Sequence, residues 1–163
     1  MTGSALVVGA SGIVGSNLAR YLRTRGWQVY GLARRPPSTL EGVTPLAADL
    51  LDPASLRVAL QGLHPTDVFL GVWLRQQTEA ENIRVNRAMV RNVLDALSPA
   101  GSVRHVALVT GLKHYLGPFD AYGKGRLPAT PFREDQPRLD LENFYYAGTP
   151  MPIWAARSKS SPT

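Results

Sequence analysis

The sequence predicts an α/β fold, a doubly wound parallel sheet flanked by helices. Two observations predict it. Short apolar runs of strand length alternate with stretches of helical period, and a glycine-rich turn joins the first run to the first helix. Leu6-Val7-Val8 stops at Gly9 and reads as a buried parallel strand. Ile13 to Arg25 follows with helical spacing, Leu18, Ala19, Tyr21 and Leu22 on one side and arginines on the other, and Gly26 is its expected stop. Trp27 to Ala33 alternates as a second strand, broken by Pro36-Pro37. Val43 to Ala48 is the third strand, and Pro53 to Leu60 a short helix with proline at its start. Val68-Phe69-Leu70 is the fourth strand. Glu79 to Leu97 is a long amphipathic helix carrying Ile83, Met89, Val90, Val93, Leu94 and Leu97, and Val103 to Val109 is the fifth strand.

The 163 residues suffice for one core, and the balance of 44% hydrophobic to 18% charged residues is that of a globular chain. No apolar run reaches the roughly 18 residues needed to span a bilayer, and Ala5 to Val8 is too short for a signal peptide. Without cysteine there is no disulfide framework, thiolate metal site or cysteine nucleophile, and no metal site is expected. The expected compartment is the cytoplasm. The net charge of +6 is scattered over solvated helix faces, which favours a small anionic ligand and gives no reason to expect nucleic acid or membrane as partners. The sequence leaves an oligomer open.

Gly9-Ala10-Ser11-Gly12-Ile13-Val14-Gly15 has the spacing G-x-x-G-x-x-G between strand and helix. The first glycine permits the tight turn, the second lets backbone N–H groups approach a pyrophosphate, and the third lets the helix pack on the sheet. The helix N-terminus offers its positive dipole end to the phosphates. In this context the motif marks a Rossmann-type dinucleotide site; the bland reading is a tight turn without a ligand. Nicotinamide-dinucleotide sites that take the unphosphorylated cofactor place an acid about 20 residues on, for the ribose 2′-hydroxyl. Here Arg34 and Arg35 stand there, suited to a 2′-phosphate, so the expected cofactor is NADPH. A charge-assisted hydrogen bond contributes about 1.5–3 kcal/mol, enough for roughly tenfold preference. The alternative is a solvated basic turn. Asp49, followed by Leu50, either accepts from the adenine amino group or caps the helix before Pro53.

No tyrosine is followed four residues later by lysine, so the usual short-chain dehydrogenase pair is absent, which also argues against a sugar-nucleotide epimerase-type enzyme. Strand five instead runs into Thr110-Gly111-Leu112-Lys113-His114-Tyr115-Leu116-Gly117-Pro118-Phe119. Further on come Pro137-Arg138-Leu139 and Asn143-Phe144-Tyr145-Tyr146. These strings, with Ala33-Arg34-Arg35-Pro36 and the stretch from Glu81-Asn82 through Asn86 to Arg91-Asn92-Val93-Leu94-Asp95-Ala96, resemble the progesterone 5β-reductase/iridoid synthase family, an atypical branch of the extended short-chain dehydrogenases in the NAD-dependent epimerase/dehydratase superfamily. The resemblance covers about residues 5–146.

It implies NADPH-dependent reduction of an activated C=C bond, a 1,4-reduction of a small-molecule enone, with Lys113 and Tyr145 catalytic. Lys113 would also hold the cofactor ribose, and Thr110 and Val72-Trp73 would line the cofactor together with Gly9, Ser11, Gly12, Ile13, Val14, Gly15, Arg34, Arg35, Asp49 and Leu50. A phenol O–H near the substrate carbonyl stabilises the developing enolate. From residue chemistry alone, a lysine after a strand is usually a surface residue and Tyr-Tyr usually packing. The resemblance stops at Tyr146, so residues 1–146 are expected to be the dinucleotide-binding domain with its catalytic loop and 147–163 a disordered tail. The sheet is then expected to be incomplete at its C-terminal edge, with strand five an open edge, as in a truncated reductase. The alternative is a non-catalytic NADPH-binding module or a remnant without function.

Overall fold

The computed structural model describes residues 3–118, 124 and 130–147. Its elements are β1 (Ser4–Val8), α1 (Ile13–Thr24), β2 (Gln28–Ala33), β3 (Val43–Ala47), α2 (Pro53–Leu60), β4 (Asp67–Leu70), α3 (Glu79–Leu97), β5 (His105–Leu108), α4 (Lys113–Leu116) and α5 (Phe144–Ala147). A 3-10 turn, Ser98–Ala100, follows α3. The chain divides into two compact units. The first is Met1–Arg75 with Ala88–Val109; the second is Gln76–Arg87 with Thr110–Thr163.

The first unit holds one parallel sheet in the order β3-β2-β1-β4-β5. This is a Rossmann-type doubly wound sheet. β1 is central and apolar on both faces: Ala5 to Val8 are all essentially inaccessible. Ala5 and Val7 share a core cluster with Ala19 and Leu22 of α1, Val29 of β2 and Val43 of β3. Leu6 and Val8, one residue out of phase, turn to the opposite face. Pro45 lies within β3, which the sheet tolerates because β3 is an outermost strand. β5 is the outermost strand at the other end among the described residues, and its side chains are only part-buried or exposed.

α2 and α3 occupy the ranges expected of them, and the strands fall within one or two residues of theirs. Three local expectations change. Tyr21 is 53% exposed, not part of the apolar face. The Arg25 guanidinium stacks 5.2 Å from its ring centroid and donates to its hydroxyl, a wet arrangement open to an amphipathic side chain. On α3, Ile83 is half-buried while Val85 is buried. The buried face of α3 also carries Asn82 and Asn86, polar residues that hydrophobic periodicity does not count. The expected tail lies, from residue 148 on, outside the described residues, as do Phe119 and Tyr122. No helix among the described residues is long and apolar enough to cross a membrane.

Candidate functional site

The chain runs from β1 toward β2 and β3 on one side, and β4 and β5 lie on the other. Between β1 and β4 the winding reverses, which opens a crevice at the carboxyl ends of the strands. The first unit has a cavity of about 240 Å³ at this place. Its wall is supplied by the ends of β1 (Gly9, Ser11, Gly12), β2 (Leu32, Ala33, Arg34) and β4 (Gly71, Val72, Trp73, Leu74), with Asp49, Leu50, Leu51 and Met89 completing it.

The glycine turn is fixed by backbone geometry. Gly9 has φ +86°, and a Cβ there would lie 2.5 Å from the Gly71 carbonyl oxygen. Its N–H and that of Ala10 both donate to the Leu32 carbonyl, at 2.8 and 3.1 Å, tying the turn to the end of β2. The Gly12 N–H donates to the Gly9 carbonyl at 2.9 Å. A Cβ on Gly15 would collide with that same carbonyl, so only glycine lets α1 start this close to β1. Gly12 is the N-cap of α1 and supplies no side-chain cap, so the first-turn amides face the open end of the helix. These features fit a dinucleotide pyrophosphate.

Arg34 is exposed and lines the cavity just past the end of β2; Arg35 beside it is exposed but not part of the wall. Asp49 does not cap α2. Asp52 does, accepting from the N–H groups of Ala54 at 2.9 Å and Ser55 at 3.2 Å. Asp49 accepts from the Leu51 N–H at 2.9 Å and lines the cavity. Asn92 of α3 fixes the same loop by donating to the Leu50 carbonyl at 2.9 Å.

Of the expected cofactor residues, Gly9, Ser11, Gly12, Arg34, Asp49, Leu50, Val72 and Trp73 meet on this wall. Ile13, Val14 and Gly15 form the first turn of α1 just behind it, with Ile13 85% exposed. Thr110 and Lys113 belong to the second unit. Sequence reasoning missed Leu32, Ala33, Leu51, Gly71, Leu74 and Met89. Gly71 carried a usable signal, a glycine directly after an apolar strand; the others are ordinary apolar positions.

The second unit gathers a different set of groups. Lys113, at the start of α4, is 2% exposed, and its Nζ donates to both carboxylate oxygens of Glu79, at 2.8 and 2.6 Å. Asn82 braces that carboxylate by donating to it at 3.1 Å, while its own carbonyl oxygen accepts from the Gln76 N–H at 2.7 Å. Tyr145 lies on α5, half-buried, and a Cβ on Gly111 would sit 3.2 Å from its hydroxyl oxygen. The hydroxyl thus rests against the glycine of the T-G-x-K string. Asn143 caps α5 by accepting from the Tyr145 N–H at 2.9 Å; its Nδ2 is buried with no hydrogen-bond partner among the described residues. Tyr146 turns elsewhere: its hydroxyl accepts from the Leu139 N–H at 3.1 Å and lies 3.3 Å from His114 Nδ1, while His114 Nε2 faces the Gln136 carbonyl at 3.2 Å. Tyr115 stacks on Phe132 with centroids 4.6 Å apart. Of the two adjacent tyrosines, Tyr146 fastens residues 130–147 to α4, and Tyr145 is the one set against Gly111.

A family model, the NAD dependent epimerase/dehydratase family, matches residues 5–147. The chain belongs to the NAD dependent epimerase/dehydratase family. Among curated members, a (S)-8-oxocitronellyl enol synthase of Camptotheca acuminata is 41% identical, aligned over 96% of this chain and 43% of its own length. A 3-oxo-Delta(4,5)-steroid 5-beta-reductase of Arabidopsis thaliana is 45% identical over 87% of this chain and 39% of its own length. These are the kinds of protein to which the T-G-x-K-H-Y-x-G-P-F and N-F-Y-Y strings pointed. The chain spans about two fifths of the length of these relatives. Among solved structures, a short-chain dehydrogenase/reductase superfamily protein from Agrobacterium tumefaciens with bound NAD superposes with a TM-score of 0.65, at 27% identity, over 89% of this chain and 42% of that one.

Proposed function

We propose that this chain is the dinucleotide-binding and catalytic-lysine portion of an NADPH-dependent reductase of activated C=C bonds, acting by 1,4-reduction of an enone. The observation that carries the reading is the wall of the first unit's cavity, which a glycine turn that only glycine can make shares with Arg34. The enol synthase and the steroid 5-beta-reductase among its relatives support the reaction class.

The cavity residues suit the parts of the cofactor in order. The first-turn amides of α1 would receive the pyrophosphate, Arg34 with Arg35 the 2′-phosphate, and Asp49 the adenine amino group. Reduced nicotinamide, when bound, would supply a hydride to the β-carbon of the enone, and water would supply the proton that turns the resulting enolate into the saturated carbonyl. As negative charge accumulates on the substrate carbonyl oxygen, the Tyr145 hydroxyl donates a hydrogen bond to it. As the family resemblance implies for Lys113, its ammonium would favour ionisation of the phenol and hydrogen-bond the cofactor ribose. Losing one such oxyanion donor typically costs about 10²–10³ in turnover. The test follows NADPH oxidation with cyclohexenone in wild type and in Tyr145→Phe. The reading predicts oxidation that requires the enone and falls about 100-fold in Tyr145→Phe, with NADPH affinity kept. Equal turnover in the two would remove Tyr145 from the chemistry.

A second reading is favoured by one observation: every residue of the cavity wall belongs to the first unit. A chain that binds NADPH but never oxidises it would be a binding module without catalysis.

A further inference from the structure

Burying an ion pair costs desolvation that its own attraction barely recovers, so such pairs often mark a position that must be held. Lys113 and Glu79 are 34 residues apart in the chain and meet as a bidentate pair with side-chain exposures of 2% and 17%. Glu79 opens α3, where the positive end of the helix dipole favours a carboxylate. The carboxylate is itself held, by the Asn82 amide at 3.1 Å, and Asn82 in turn is fixed by the Gln76 N–H. Asn86, fully buried one turn on, donates to the Asn82 carbonyl at 2.9 Å. On this face of α3 the Asn82 side chain braces the carboxylate that holds the lysine ammonium, and Asn86 bonds the Asn82 main chain.

We propose that Glu79 is the positioning residue for Lys113: its carboxylate fixes where the ammonium sits, and Asn82 fixes the carboxylate. The inference rests on the reading above in which Lys113 serves the cofactor ribose. A lysine carries four rotatable side-chain carbons, and freezing them one at a time through packing alone is costly in entropy. Two short charge-assisted bonds to one braced carboxylate do it at a single point. In this proposal Glu79 acts through the lysine, to which both of its carboxylate oxygens are bonded.

The test has two arms. The chain's lysines are Lys113, Lys124 and Lys159, so mass spectrometry assigns acetylation by an N-hydroxysuccinimide ester to each site. In wild type, Lys113 should react at least about tenfold more slowly than exposed Lys124, and in Glu79→Gln its rate should rise severalfold. The second arm is NADPH affinity by calorimetry. Lys113→Ala should weaken binding about tenfold, Glu79→Gln by a similar factor, and the double variant no further than Lys113→Ala alone, because both act through one group. Loss in Lys113→Ala with unchanged affinity and unchanged labelling in Glu79→Gln overturns the positioning role. Unchanged affinity in Lys113→Ala overturns the ribose assignment instead, and the labelling arm then still decides whether Glu79 holds the lysine. Should Glu79→Gln give no cooperative melt, Glu79→Asp replaces it. That variant keeps the charge but withdraws it by about 1.5 Å, one C–C bond. Partial release of Lys113 is expected, and full protection would count against the proposal.

Discussion

The two units build their sites from different materials. In the first, the decisive groups are backbone: the Gly9 turn at φ +86°, the tight start of α1 at Gly15, and amides at a helix end. In the second they are side chains: Lys113 on Glu79, Tyr145 against Gly111, and His114 clasped to Tyr146. A site made of backbone is damaged by adding a side chain, and one made of side chains by removing them. A phosphate cradle is common to any dinucleotide enzyme, whereas reaction chemistry belongs to a particular one. On the proposed reading, the first unit would cradle the pyrophosphate and the second would supply the side chains of the reaction.

The largest effect expected from this contrast is in the second unit. Phe144 is 1% exposed and adjoins Tyr145, its ring centroid 6.1 Å from the tyrosine's. Phe144→Ala should cost about 3–5 kcal/mol of stability, read from thermal or urea unfolding. A change under about 1 kcal/mol would show that α5 is not anchored through this residue. The converse change in the first unit is Gly15→Val, whose Cβ would collide with the Gly9 carbonyl. A backbone atom cannot swing aside, so NADPH binding should weaken at least about 100-fold, which corresponds to about 2.8 kcal/mol. Retained affinity would mean that the turn relaxes and that glycine is dispensable there. The smallest effect is at Asp52, the cap of α2. Asp52→Ala should cost about 1 kcal/mol in unfolding free energy. Because Asp49 rather than Asp52 faces the cavity, NADPH affinity should not change.

The same contrast explains what was legible in the sequence. Backbone requirements leave local marks, so the glycine turn, the bounds of α2 and α3 and the parallel character of the sheet could be read from spacing and period alone. The sequence suggested only Asp49 as a possible cap and passed over Asp52, since the choice depends on which carboxylate faces the amides of Ala54 and Ser55. The pairing of Glu79 with Lys113 was invisible for a stronger reason. Nothing local joins residues 34 apart, and an acid in a first helical turn already has a sufficient explanation in the dipole. Asn82 and Asn86 interrupt the apolar face of α3, so a hydrophobic pattern passes over two of its most deeply buried residues. Tyr21 failed in the opposite direction: its ring reads as apolar, yet it is 53% exposed, with the Arg25 guanidinium from one turn away over it.

The measurement that bears most directly on the account is the affinity of the chain for NADPH and NADH by calorimetry, in wild type and in Arg34→Ala/Arg35→Ala. Arg34 stands on the cavity wall where the 2′-phosphate would lie, and Arg35 is next to it. Wild type should prefer NADPH by about tenfold or more, and the double variant should lose this preference by binding NADPH more weakly while NADH is little changed. Equal affinities in wild type, or a preference that survives removal of both guanidiniums, would contradict that expectation.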